Sequence, residues 1–113
     1  MQKTGKSLII SIVNKGYSEE LMNAARSAGA SGGTIMHARG TGSAEAEKIF
    51  GITIEPEKEL VMILTKDESR QDIMKAIYSA AGLATRGKGI AFSLPVDDVL
   101  GTPFDGMTFA DKE

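Results

Sequence analysis

The segment "TRGKG" (residues 85–89) sets Arg86 and Lys88 among Gly87 and Gly89. Bare glycine backbone can aim successive N–H groups at one anion, and two cations add charge, so this run could cradle a phosphate or carboxylate. Its spacing is not that of the G-x-x-x-x-G-K-[ST] phosphate loop, and a turn with solvated charges would use the same residues. A second stretch, "ARGTGSAEAE" (38–47), places Arg39 beside Gly40 and Gly42, as in a small anion nest or a flexible loop. His37 is the only histidine. With Glu45 or Glu47 it could ligate a divalent metal, if the fold gathered them; otherwise it is an ordinary strand-end residue. The acids of "EAE" (45–47) and "EPEKE" (55–59) read as a solvated loop rather than a catalytic pair. Cysteine is absent, which removes thiol catalysis and thiolate metal sites, and no spacing supports a Ser/His/Asp arrangement. An enzyme therefore has no nucleophile and base to point to.

The chain that must position these residues has 113 of them, the length of one domain, 1–113, with a core over about 7–96. A net charge of −2 and the absence of Trp argue against nucleic-acid binding. The apolar run near the N-terminus is too short to cross a membrane. These features point to a soluble, cytoplasmic protein without membrane insertion.

"SLIISIV" (7–13) is β-branched and apolar, the mark of a buried strand. "NKGY" (14–17) is a turn, Ser18 a candidate N-cap, and Leu21, Ala24, Ala25 and Ala28 recur at helical spacing up to Gly29. "GGTIMHA" (32–38) is a second strand, followed by a long Gly- and Glu-rich stretch, 39–58. "ELVMILT" (59–65) is the third strand and 66–82 the second helix, with Asp67 or Ser69 as cap and Ile73, Ala76, Ile77 and Ala80 on one face. "GIAFSLPV" (89–96) is the fourth strand, which Pro95 should end or confine to an edge. The tail, 97–113, shows no clear period and is expected to be partly ordered at most.

This order, βαββαβ, predicts an α+β ferredoxin-like sandwich: a four-stranded antiparallel sheet with both helices on one face. A sheet face open to water should be polar, giving alternation along each strand. Instead Leu8, Ile9, Ile10, Ile12 and Val13 are apolar in both phases, as are Leu60, Val61, Met62, Ile63 and Leu64. The helix-free face is thus expected to be an oligomer interface, unless the C-terminal tail folds over it.

Taken in order, "AGASGGTIMHARGTG" (28–42), "EPEKELVMIL" (55–64) and "GKGIAFSLPVDDV" (87–99) resemble the nitrogen regulatory protein P-II family over roughly residues 7–100. The resemblance implies a homotrimer whose sheets face the three-fold axis. It also implies adenine nucleotide (ATP, ADP or AMP) binding in clefts between subunits, at the base of a long flexible T-loop. In that family the loop docks on an enzyme, transporter or transcription regulator, and effectors including 2-oxoglutarate change its shape. By the same resemblance, Thr34 and Gly40 match a strand-end threonine and a loop-base glycine near the nucleotide. Gly87 and Gly89 match the phosphate-side glycines, and residues 39–55 match a shortened T-loop. Lys88 precedes Gly89 here, whereas the family's lysine follows its glycine; the tail carries no Arg and the loop no Tyr. The expected role is a non-catalytic regulator with no required cofactor. Its anion cradle would comprise Thr34, Arg39, Gly40, Gly42, Arg86, Gly87, Lys88 and Gly89. The alternative is a trimeric divalent-metal-binding protein using His37 on a similar fold.

Overall fold

The structure, a computed structural model, describes residues 4–41, 56–80, 83 and 89–101, and the backbone of 106–108. Its elements are β1 (Lys6–Asn14), α1 (Ser18–Ser27), β2 (Thr34–Arg39), β3 (Glu57–Lys66), α2 (Asp67–Ala80), β4 (Gly89–Pro95), β5 (Val99–Gly101) and β6 (Gly106–Thr108). The first four strands form one antiparallel sheet in the order β2-β3-β1-β4, the ferredoxin-like arrangement expected from the sequence. β5 and β6 pair with each other in a separate two-stranded ribbon. Within the tail, expected to be partly ordered at most, the described residues form this short ribbon. Val99 is buried within it, and such a short pairing leaves little alternation to read.

Local chemistry explains the helix ends. α1 stops in a paired-bond C-cap, with Gly29 N–H donating to the Arg26 carbonyl at 3.1 Å and Ala30 N–H to the Ala25 carbonyl at 2.9 Å. Gly29 takes φ +117°, a conformation that side chains resist, so its place in the sequence is a backbone requirement. The start of α1 differs from the reading of Ser18 as N-cap. Tyr17 occupies that position without a side-chain cap, and Ser18 is the first helical residue. α2 begins at Asp67, whose N–H donates to the Gly5 carbonyl at 2.8 Å and whose carboxylate accepts the Ser7 hydroxyl.

Alternation along β1 buries Ser7, Ile9, Ser11 and Val13 toward the helices, and β3 likewise buries Glu59, Val61, Ile63 and Thr65. Leu21, Met22 and Ala25 of α1 and Ile73 and Ile77 of α2 close that core. Ala80, read as part of the buried face of α2, is exposed.

The other face carries the bulkier apolar set. Leu8, Ile10 and Ile12 of β1 stand across from Leu64, Met62 and Leu60 of β3, and from Leu94, Phe92 and Ile90 of β4. No described helix covers them, and Ile90, Phe92 and Leu94 keep 57%, 39% and 45% of their surface exposed. Burying side chains of this kind is worth about 1.5–3 kcal/mol each, so a free chain leaves a large driving force unused. The core-facing side, by contrast, spends two of its four β1 positions on serine.

The Ser11 hydroxyl is fully buried and has no hydrogen-bond partner among the described residues. A buried polar group without a partner costs about 1–3 kcal/mol. Ser11→Ala is therefore expected to leave stability unchanged or raise it by about 1 kcal/mol in urea unfolding, unlike most core substitutions.

Candidate functional site

β2 and β3 pair up to Arg39 opposite Glu57, and Gly40 N–H donates to the Pro56 carbonyl at 2.8 Å. These bonds pin both ends of the segment that leaves the sheet after Thr41 and returns at Pro56. Beside this base lies a shallow concavity of about 250 Å³ lined by Lys15, His37, Ala38, Arg39, Glu57 and Lys58. Among the described residues its lining sets Lys15, Arg39 and Lys58 against one carboxylate, Glu57, a cationic balance. Lys58 Nζ donates to Asn14 Oδ1 at 2.6 Å, and Lys15 pairs with Glu57 at 3.0 Å on the exposed surface. An exposed pair of that kind is worth little to stability.

Glu59 is held differently. It is 8% exposed, and its Oε1 accepts N–H from Gly16 at 2.8 Å and from Ser18 at 3.3 Å. A residue from β3 thus satisfies the start of α1, where no local side chain does. The Gly16 N–H bond holds the carboxylate below the ordinary value of 4.5 against the opposing effect of burial; the Ser18 hydroxyl and N–H and the neighbouring His37 add to the lowering. The reading of "EPEKE" as a solvated loop fails here: Glu57, Lys58 and Glu59 belong to β3, and Glu59 is buried. Residues 60–64 are apolar in both phases, so no local pattern marked the face of Glu59 as the one the helices would cover.

Among the eight residues proposed for the anion cradle, Gly42, Arg86, Gly87 and Lys88 lie outside the described residues, as do Glu45 and Glu47 of the metal reading. Arg39 and Gly40 sit together at the loop base. Thr34 lies at the other end of β2, five residues from Arg39, or about 17 Å along a strand. Gly89 begins β4 on the opposite edge of the sheet, three strand spacings or about 14 Å away. One chain alone therefore does not bring these residues together. Gly89 also has a packing reason to be glycine: a Cβ there would lie 2.6 Å from the Ile12 carbonyl oxygen and 2.8 Å from Leu83 Cδ2. His37 stands opposite Glu59 across the β2–β3 pair, but that carboxylate is committed to Gly16 and Ser18. Among the described residues no cluster of three or more His, Asp or Glu side chains is assembled for a metal.

A ferredoxin-like α+β domain with an uncovered apolar sheet face and a cationic loop base is the class of protein that this geometry defines. A family model for nitrogen regulatory protein P-II matches residues 6–102, and the chain belongs to that family, whose members are regulatory and non-catalytic. Among solved structures, PII of Arabidopsis thaliana bound to citrate shares the fold, with a TM-score of 0.68 at 20% sequence identity. The match covers 92% of this chain and 86% of the plant protein. No curated protein matches the sequence. No described helix is long and apolar enough to cross a membrane.

Glu59→Ala is expected to cost about 1–3 kcal/mol by stranding the N–H groups of Gly16 and Ser18. Because folding lowers the Glu59 pKa, its contribution is present above about pH 4.5 and fades as pH falls through the folded value. Urea midpoints measured from pH 7 to pH 3 should show a shallower acid decline in the variant than in the parent. Gly89→Ala should cost about 1–3 kcal/mol by overpacking against backbone, read from the same unfolding curves.

Proposed function

We propose that this protein is a cytoplasmic, homotrimeric signalling protein that binds an adenine nucleotide or related anionic effector in the seams between subunits. A partner enzyme, transporter or transcription regulator then reads the segment 39–55. The observation that carries this reading is the sheet's helix-free face, which holds bulkier apolar residues than the face its helices cover. Such a face is satisfied by copies of itself, which closed symmetry can supply. Assembly also answers the separation of the candidate residues. Arg39 and Gly40 lie on one edge of the sheet and Gly89 on the other, so a neighbour's edge can complete what one chain leaves apart. The cationic concavity at the loop base suits an anion, and the citrate held by the plant structure is a small anion on the same fold.

The effector would act by binding one arrangement of the 39–55 segment better than another, since only differential affinity can shift such an equilibrium. Coupling of about 1–3 kcal/mol would change partner affinity some 5–150-fold. Arg86 and Lys88 are proposed to supply phosphate-side charge, with Gly42 and Gly87 supplying N–H groups beside them.

Sedimentation equilibrium at micromolar concentration should give a trimer, and Phe92→Glu should dissociate it; a folded single chain in the parent would overturn the reading. Thermal shift with ATP, ADP and AMP should raise the melting temperature for at least one of them. Arg86→Ala combined with Lys88→Ala should reduce that shift while the sedimentation profile stays trimeric. An unchanged shift would remove both residues from the site.

A further inference from the structure

His37 is an exposed residue of β2 and lines the concavity at the loop base. The β2–β3 register sets His37 opposite Glu59 and Arg39 opposite Glu57. Residues two apart on a strand share a face, so these four side chains stand on one side of the sheet. Lys15 joins them through its 3.0 Å pair with Glu57. Lys58 lines the concavity from the other phase of β3, where its Nζ donates to Asn14 Oδ1. Glu19 and Glu20, in the first turn of α1, are exposed and are not part of the lining. The Glu59 carboxylate is held below its ordinary value first by the Gly16 N–H and last by the charge of His37, which puts the imidazole within electrostatic reach of it.

Among the described residues, then, Lys15 and Arg39 meet Glu57 and Glu59, and their charges cancel on this face. Lys58 supplies the one cation in excess. Between about pH 6 and pH 8, lysine, arginine and carboxylate side chains ordinarily keep their charge, and imidazole is the side chain that changes. A proton on His37 therefore doubles the positive excess around the concavity. We propose that protonated His37 is an anion-binding residue of the loop base, which makes the affinity for a small multiply charged oxyanion proton-linked. The sign follows from the charge: the bound anion favours the imidazolium, so the added affinity is present at low pH and is lost as pH rises. One added charge about 4 Å from a singly charged group is worth about fivefold at the dielectric of water. The inference rests on the reading of the loop base as an anion site and adds to it a residue and a regulating ion.

The test titrates the full-length protein with sodium sulfate, which keeps both its charges in this range, at about pH 6 and about pH 8 in a fixed excess of sodium chloride. Nuclear magnetic resonance follows the backbone amides of Lys15, Ala38 and Arg39 and the ring protons of His37. Saturable shifts are expected at both pH values, with affinity about threefold to tenfold tighter at the lower one. Near pH 7, sulfate should move the His37 ring protons toward their protonated positions, because linkage is reciprocal. His37→Gln should bind alike at both pH values, and about threefold to tenfold more weakly than the parent at the lower one. His37→Lys, charged at both, should keep at the higher pH the affinity that the parent shows at the lower. Equal affinities of the parent at the two pH values, or a pH response retained in His37→Gln, would overturn the proton linkage and leave the anion reading standing. Shifts no larger than those with added chloride at either pH would overturn both.

Discussion

The uneven division of apolar residues between the two faces of one sheet governs the rest of this molecule. Two helices can cover only one face, and that face is lined in part by Ser7, Ser11, Glu59 and Thr65. The opposite face gathers Leu8, Ile10, Ile12, Leu60, Met62, Leu64, Ile90, Phe92 and Leu94 into a continuous apolar surface by strand register. A monomer that exposes such a surface forgoes part of the hydrophobic stabilisation its sequence encodes. The fold is therefore incomplete as a single chain in an energetic sense, although its topology is complete.

That incompleteness bears directly on the site. The loop base is built on the β2–β3 side, with Gly40 bonded to Pro56 and Arg39 opposite Glu57. The start of β4, where the second glycine-rich segment returns to the sheet, lies across the full width of the sheet. On the proposed reading, the two glycine-rich stretches would form one anion site only where different subunits set them against each other. The cationic concavity at the base and the rigid anchoring of Glu59 beneath it then have complementary roles. Glu59 fixes the turn at Gly16 and the start of α1, while Lys15, Arg39 and Lys58 present charge around that fixed point.

Polar groups placed among apolar ones recur through the core, and each has a different account. Glu59 is charged and satisfied by backbone donors. Ser7 is satisfied by Asp67. Ser11 finds no partner among the described residues. A core with this pattern is held by packing of a few large side chains, Ile9, Leu21, Ile63, Ile73 and Ile77, more than by polar networks.

By itself the sequence determined the number and order of the main elements, the βαββαβ topology and the end of α1 at Gly29. It also determined that both phases of β1 and β3 are apolar. Those properties are written in local periodicity and in residues with strong backbone preferences, so neighbours along the chain suffice to read them. The tertiary structure alone decided which apolar phase meets the helices, because alternation is symmetric until the helices choose a side. It alone drew Glu59 to Gly16 and Ser18, more than forty residues away, brought Asp67 to Ser7, and set Gly89 across the sheet from the loop base. Each of these depends on how residues distant in the chain are brought together or held apart, which no local pattern names.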